Sequence, residues 1–140
     1  MTEQQNFEQV IDGKEKHYSD DKFIKKVQSN GLQLGFKALH AATTLFVALK
    51  SPQMPNAQKL IILGALGYLI LPIDLIADFL PVIGLADDAI IIIKAVMSVY
   101  SHVDDSMEQE AHMLLKKWLG DRYTYEGSLE TIVDEEKDEV

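Results

Sequence analysis

Residues 71–88 read LPIDLIADFLPVIGLADD, a stretch that sets acids and helix-breaking residues among large apolar side chains. It contains four Asp, two Pro and one Gly, and neither Lys nor Arg. Pro stops helices and Gly permits sharp bends, so the stretch predicts a turn. Apolar runs flank it on both sides. We therefore expect a central apolar antiparallel helical hairpin, residues 56–71 and 87–103, joined by this Asp/Pro-rich turn.

The rest of the chain shows apolar residues at three- and four-residue steps, which is typical of helices. Ser19 is expected to cap a short helix, a second helix is expected over about 32–49, and Gly120 is expected to end the last helix. The expected fold is all-α, with about four to five helices. A capping pattern at Ser106 and Gln109 predicts where the last of these helices begins. The predicted organisation is a flexible polar arm at 1–18, a single helical domain at 19–125 with its central segment at 56–103, and a disordered acidic tail at 126–140.

Composition excludes several classes of protein. The formal net charge of the 140 residues is −9, which disfavours binding to a phosphate backbone, so we expect no nucleic-acid partner. The absence of Cys excludes disulfides, thiolate zinc sites and cysteine nucleophiles. The polar start, MTEQQNFEQV, lacks the charged and apolar regions of a cleaved signal peptide.

The apolar run before the turn leaves two environments open. Between Lys59 and Asp74 lie fourteen uncharged residues, which as a helix reach ~21 Å, against ~30 Å for a bilayer core. These lengths favour a soluble core, whereas the nearly uniform apolarity favours lipid. The basic N-terminal flank and the acidic turn fit a membrane hairpin with both termini in the cytoplasm.

The central segment, GYLILPIDLIADFLPVIGLADDAIII, resembles the signature of the YkvA-like family, a bacterial domain of unknown function. With the upstream SPQMP at 51–55, which also resembles the family, the resemblance covers about a third of the chain. Ala77 stands where the family usually has Pro, and Leu71 replaces a small polar residue. The resemblance implies a small helical protein, often treated as membrane-associated, and brings no established activity. The matching residues are Tyr68, Pro72, Asp74, Leu75, Ile76, Asp78, Phe79, Pro81, Gly84, Asp87 and Asp88.

The four acids of the stretch have two interpretations. As oxygen ligands, Asp74, Asp78, Asp87 and Asp88 suit a hard cation such as Mg²⁺ or Ca²⁺. As structural groups they cap helix N-termini, or one of the last two pairs with Lys94. Capping is the more common role for Asp beside Pro and Gly, so we favour it over a cation site. Tyr68, Pro72, Pro81 and Gly84 are then expected to be structural residues of the turn.

No set of residues predicts catalysis. The four His lack the spacing of a zinc or di-iron helix motif, and no Ser lies in a nucleophile-elbow context. Glu108 and His112, four residues apart, are expected to form a surface pair. We therefore expect a membrane-associated helical protein with a structural or interaction role, which is not an enzyme and has no required cofactor. The alternative is a soluble cytoplasmic helical bundle that binds a partner or a cation through the Asp-rich turn. Self-association is compatible with either.

Overall fold

The computed structural model describes residues 3–70 and 88–138, and both ranges are helical. Seven α-helices and four short 3₁₀ turns account for nearly all of the described chain, which contains no strand. The α-helices are α1 (Glu3–Ile11), α2 (Asp20–Asn30), α3 (Phe36–Leu49), α4 (Asn56–Ile70), α5 (Asp88–Val99), α6 (Asp105–Leu119) and α7 (Leu129–Asp138). The 3₁₀ turns are Lys14–His17, Gly31–Leu34, Tyr100–His102 and Gly120–Arg122.

Helix α3 is the centre of the molecule. All eleven residues from Ala38 to Ala48 are buried, which a helix can achieve only when neighbours cover every face. Helices α4, α5, α6 and α7 all contact it. The small side chains of this helix, four of them Ala, let those neighbours approach closely.

The N-terminal segment packs on α4 through close backbone contact. A Cβ atom added at Gly67 would lie 1.9 Å from the carbonyl oxygen of Lys14, and one added at Gly64 would lie 2.9 Å from that of Ile11. Only glycine fits at such distances, so these two positions form a slot for the chain between α1 and α2. Phe7, Val10 and Ile11 of this segment are buried.

Local sequence signals define several helix ends. The Ser19 hydroxyl accepts a hydrogen bond from the Lys22 amide and caps α2, as its position predicts. Asp104 caps α6 by accepting from the Met107 amide, and the Ser106 hydroxyl donates to the same carboxylate. The capping residue is therefore Asp104, two positions before the predicted Ser106. Gly35, with φ of 91°, separates a 3₁₀ turn from α3 within the predicted helix 32–49.

The expected number of four to five helices is wrong, because the described ranges hold seven. The two unexpected helices are α1 and α7, in the segments predicted as a loose arm and a disordered tail. Both segments are mostly polar, but their few apolar side chains recur at helical steps and are buried in the core. These buried side chains are Phe7, Val10 and Ile11 in the arm, and Leu129, Ile132 and Val133 in the tail.

The expectation of a central membrane hairpin is also wrong. In the described parts of the chain, no helix combines the length and the apolar character that crossing a bilayer requires. Helix α4 has fifteen residues and α5 has twelve, and at ~1.5 Å per residue both are shorter than a ~30 Å hydrocarbon core. The two helices contact each other and α3, so protein covers their inner faces. The predicted turn falls in 71–87, outside the described residues.

Candidate functional site

The most unusual polar group of the core is His40, on the inner side of α3. Its side chain is fully buried, as are those of Thr43 and Thr44. The two threonine hydroxyls donate to carbonyl oxygens one turn back in the same helix. An imidazole has no comparable partner within its own helix, so His40 needs a group from another element.

Glu108 of α6 supplies that group. One carboxylate oxygen lies 3.0 Å from His40 Nε2 and also accepts a 2.6 Å hydrogen bond from the Leu129 amide. Because a carboxylate only accepts, His40 carries its proton on Nε2. A single oxygen therefore links α3, α6 and the first residue of α7. The second ring nitrogen of His40, Nδ1, is buried and has no hydrogen-bond partner in the described part of the chain.

His112 lies one turn after Glu108 and holds the chain that leads into α7. Its Nε2 lies 2.9 Å from the Gly127 carbonyl oxygen, which requires an N–H donor. Its Nδ1 then accepts from the Tyr123 hydroxyl at 2.8 Å. Lys116, one turn further along α6, donates to the Tyr123 carbonyl oxygen at 3.1 Å.

Glu108, His112 and Lys116 thus form a line along α6, because residues four apart lie on the same side of a helix. Each of the three side chains bonds to the returning chain between residues 123 and 129. We call this line and His40 the C-terminal anchor. Of its four members only His40 comes from another helix.

The two imidazoles of the anchor stack on each other. Their ring centroids are 3.9 Å apart and the planes differ by 9°. The Tyr125 ring lies close to both, at 5.9 Å from His40 and 6.0 Å from His112. Burial lowers the pKa of His40 below its usual 6.5, the hydrogen bond to Glu108 opposes that shift, and the neighbouring His112 adds to it.

An open groove of about 340 Å³ lies on the outer side of the anchor. Its polar walls include His112 and Lys116, whose hydrogen-bonding atoms are already directed at Tyr123 and Gly127. These polar side chains therefore bond within the chain, to the connection that leads into α7. Within the part of the chain that the structure describes, no three His, Asp or Glu side chains are grouped to hold a metal ion.

Most of the site predicted from the sequence cannot be compared with this geometry. Asp74, Asp78, Asp87, Pro72, Pro81 and Gly84 lie outside the described residues. The cation, capping and Lys94-pairing interpretations therefore stay predictions. The structure does place the three remaining residues. Tyr68 is buried on α4, Asp88 is the first residue of α5, and Lys94 is half-buried on the same helix.

Asp88 contributes to a second cavity, of about 270 Å³. Apolar side chains from α2, α3 and α4 form part of its wall, including Val27, Leu39 and Leu69. Polar groups such as Lys26 and Asn30 also line it. Its lining includes Leu69 and Asp88, which lie near either end of the undescribed range 71–87 in the sequence.

The sequence interpretation missed the anchor. It treats Glu108 and His112 as an exposed pair, since two polar residues at this spacing usually face solvent. One sequence feature could have indicated the anchor: Lys116 follows His112 by four residues, so that three polar residues recur at four-residue steps on one helix. His40 was harder to find, because a lone His in an apolar helix carries no indication of its partner.

Comparisons with known proteins reach only the central segment. A family model described as a protein of unknown function (DUF1232) matches residues 58–93, which include most of α4 and the first half of α5. The resemblance predicted for this segment is confirmed in its coarser form, as a domain of unknown function. No curated protein and no solved structure matches the chain.

Proposed function

We propose that this chain is a non-catalytic interaction protein that binds another protein through the outward face of α5. The single observation that carries the proposal is the apolar character of that face. Ile90 is 48% exposed and Met97 is 38% exposed, and half-buried Ile93 lies between them. Together these three residues form the α5 stripe.

Helical geometry explains why the stripe is continuous. Residues three, four and seven positions apart lie on one side of a helix. The opposite side of α5 carries Ile91, Ile92, Ala95, Val96 and Val99, which are buried. The helix is therefore apolar on both its inner and its outer face, although packing within the domain requires only the inner one.

The position of the stripe supports a functional role. Ile90 and Ile93 lie inside the segment 58–93 that the family model matches. Leu60, the most exposed large apolar residue of α4 at 59%, lies in the same segment. We include in the proposal that this segment is the YkvA-like domain that its sequence resembles. We further propose that the apolar recognition surface is a property of that domain.

Attachment to a membrane surface is the second candidate, favoured by the same exposed side chains and by the apolar sequence of 71–83. The charge of the chain favours a protein partner. A net charge of −9 opposes approach to anionic lipid, and interfacial helices usually carry several basic residues beside the apolar ones. The α5 stripe has Lys94 as its only basic neighbour within the helix.

Photocrosslinking from single positions tests the proposal. A photoreactive side chain at position 97 should give a discrete protein adduct in cells that express the chain, and Ile90→Ser should abolish it. Position 113 is the matched control, because Met113 is 70% exposed but lies on α6. An adduct of twice the chain mass would identify a second copy as the partner.

Vesicle flotation separates the second candidate from the first. The purified chain should stay unbound to vesicles of neutral phosphatidylcholine. If position 97 yields no protein adduct while the chain floats with vesicles in a manner that requires Ile90, then the surface binds lipid. Equal protein adducts from positions 97 and 113 would contradict both candidates.

A further inference from the structure

We propose that residues 123–138 act as a proton-released latch, which docks when the stacked His40–His112 pair is neutral and detaches when acidification charges it. The latch comprises the connection that bonds to α6 and the helix α7 that follows. It is a regulatory device independent of the α5 stripe.

The docked state requires neutral rings. Neutral His112 donates from Nε2 to the Gly127 carbonyl and accepts on Nδ1 from the Tyr123 hydroxyl. Neutral His40 donates from Nε2 to Glu108 and leaves Nδ1 as an acceptor without a partner. An unpaired acceptor in a dry site is tolerated more readily than an unpaired donor, especially one that carries charge.

Protonation of His40 creates such a donor. The added proton sits on Nδ1, which is buried and makes no hydrogen bond to any described residue. The new charge also lies against His112, whose ring is stacked at 3.9 Å. A second proton on His112 would place two cations face to face at that distance, which the site can relieve only by admitting water.

The other charged and titratable groups around the pair do not remove this penalty. From α6, Glu108 attracts a proton on the His40 ring, and Lys116 is a further cation of the same line. From the connection, Tyr123 and Tyr125 are phenols whose pKa values burial raises further above the neutral range. From the ends of the latch, the Lys37–Glu135 ion pair joins α3 to α7 at 3.0 Å and is exposed.

Among the described residues, Glu108 is therefore the only anion within hydrogen-bonding distance of the His40 ring, and it already accepts from the Leu129 amide. The pKa of His40 is lowered despite this carboxylate, because burial outweighs it. Acidification then favours any state in which water reaches the ring. Since Tyr125 and the 123–129 connection cover both rings, the least disruptive such state is one with the connection lifted away.

Detachment of the connection would also free α7. Leu129 is fully buried, and Ile132 and Val133 are 2% and 3% exposed, all on the helix that follows directly. Helix α7 contacts α3 and α5, so its release would bare an apolar surface between those two helices. The packing of α4 against the N-terminal segment involves none of these bonds.

Hydrogen exchange of the complete chain tests the latch. Between about pH 7.5 and about pH 5.5, protection factors of the α7 amides should fall about tenfold or more, while those of α4 change less than about threefold. His40→Gln should suppress the fall, because it removes the titrating ring. His102→Gln is the matched control, since His102 is exposed on the 3₁₀ turn after α5, and it should leave the fall unchanged.

A second measurement needs no variant. Imidazole resonances of the native chain should show that the midpoint of α7 release coincides with titration of His40 or His112, and not with that of His17 or His102. The proposal is overturned if α7 protection is independent of pH, if the fall persists in a folded His40→Gln chain, or if α4 loses protection to the same extent as α7.

Discussion

The two ends of the chain dock on the helical core by different physical means. The N-terminal segment approaches the backbone of α4 at Gly64 and Gly67, where the absence of side chains provides the space. The C-terminal segment is instead held by side chains, through the anchor of His40, Glu108, His112 and Lys116. Close backbone packing depends on the space available, whereas hydrogen bonds to His and Glu side chains depend on their protonation. The N-terminal docking should therefore be sensitive to added atoms. The C-terminal docking should be sensitive to pH and to the loss of a hydrogen-bonding partner.

Removal of the C-terminal segment should have the largest effect. Ending the chain at Tyr125 deletes three buried apolar side chains, Leu129, Ile132 and Val133. It also removes the Gly127 carbonyl that accepts from His112 and the Leu129 amide that donates to Glu108. We expect a loss of about 4 kcal/mol in the free energy of unfolding, measured by urea denaturation. A loss below about 1 kcal/mol would mean that the tail behaves as the disordered segment its composition predicts.

Gly67→Ala should have the next largest effect, at the opposite end. The new Cβ would lie 1.9 Å from the Lys14 carbonyl oxygen, so the segment before α2 must move. We expect a loss of about 3 kcal/mol, at the upper end of the range for overpacking.

The control for Gly67→Ala is the same substitution in a chain that lacks residues 1–17. Without the Lys14 carbonyl the clash disappears, and Ala should stabilise α4 by up to about 1 kcal/mol through its helix propensity. If the substitution is equally harmful in both chains, then close packing of the N-terminal segment is not the reason.

Glu108→Ala should come third, with a loss of about 2 kcal/mol. It removes the acceptor from two donors at once, the His40 ring and the Leu129 amide. Glu108→Gln keeps an oxygen in place and should cost less. Glu110→Ala, on the exposed side of α6, is the control and should change the unfolding midpoint little. Similar losses for positions 108 and 110 would contradict the anchor.

The smallest expected effect is the loss of the Asp20 contribution to stability at low pH. Asp20 accepts hydrogen bonds from Lys50 and from Tyr18 at the start of α2, and these bonds, the first above all, lower its pKa below the usual 3.8. The folded state therefore binds this proton less readily than the unfolded chain does. The stabilisation is present above about pH 3.8 and is lost as the pH falls further.

Asp20→Asn should abolish this contribution. Because the pair is exposed, the difference in stability at neutral pH should stay below about 1 kcal/mol. Melting curves of both chains at about pH 6 and about pH 3 would measure it, with Asp21→Asn as the neighbouring control. Parallel behaviour of the two variants would show that the bonds to Asp20 contribute nothing specific.

The pKa of His40 is also lowered, but from a higher usual value, so this group responds to pH in a different range. Its pKa lies below the usual 6.5, so the unfolded or detached state takes up the proton first. Stability that depends on neutral His40 is complete above about pH 6.5 and declines as the pH falls below it. The contributions of Asp20 and His40 are therefore distinguishable by pH alone.

Helices with a strong local signal were predictable from the sequence. Ser19 marks the start of α2, the Pro-bounded segment after residue 55 gives α4, and Gly120 ends α6. At each of these positions the decisive interaction is local, between residues a few positions apart. Gly35 was missed because a single Gly within an apolar pattern is also compatible with an unbroken helix.

The ends of the chain and the anchor were not predictable in the same way. Helix α7 contains only a few apolar residues in an acidic segment, and its order depends on contacts with α3 and α5 that no local pattern reveals. The Glu108–His40 bond joins residues 68 positions apart. Periodicity identifies which face of a helix is polar, but it cannot identify which distant residue that face meets.

The spacing of the anchor bonds along the chain bears on the order in which the molecule folds. The bonds from Lys116, His112 and Glu108 to the returning segment span 7, 15 and 21 residues, whereas the bond from Glu108 to His40 spans 68. Short loops close with a smaller loss of chain entropy, so α6 and the segment after it can associate before either meets α3. The stacking of the two imidazoles then becomes a late event. In folding kinetics, φ-values should be high at Lys116 and low at His40, and the reverse order would show that α3 nucleates this end of the molecule.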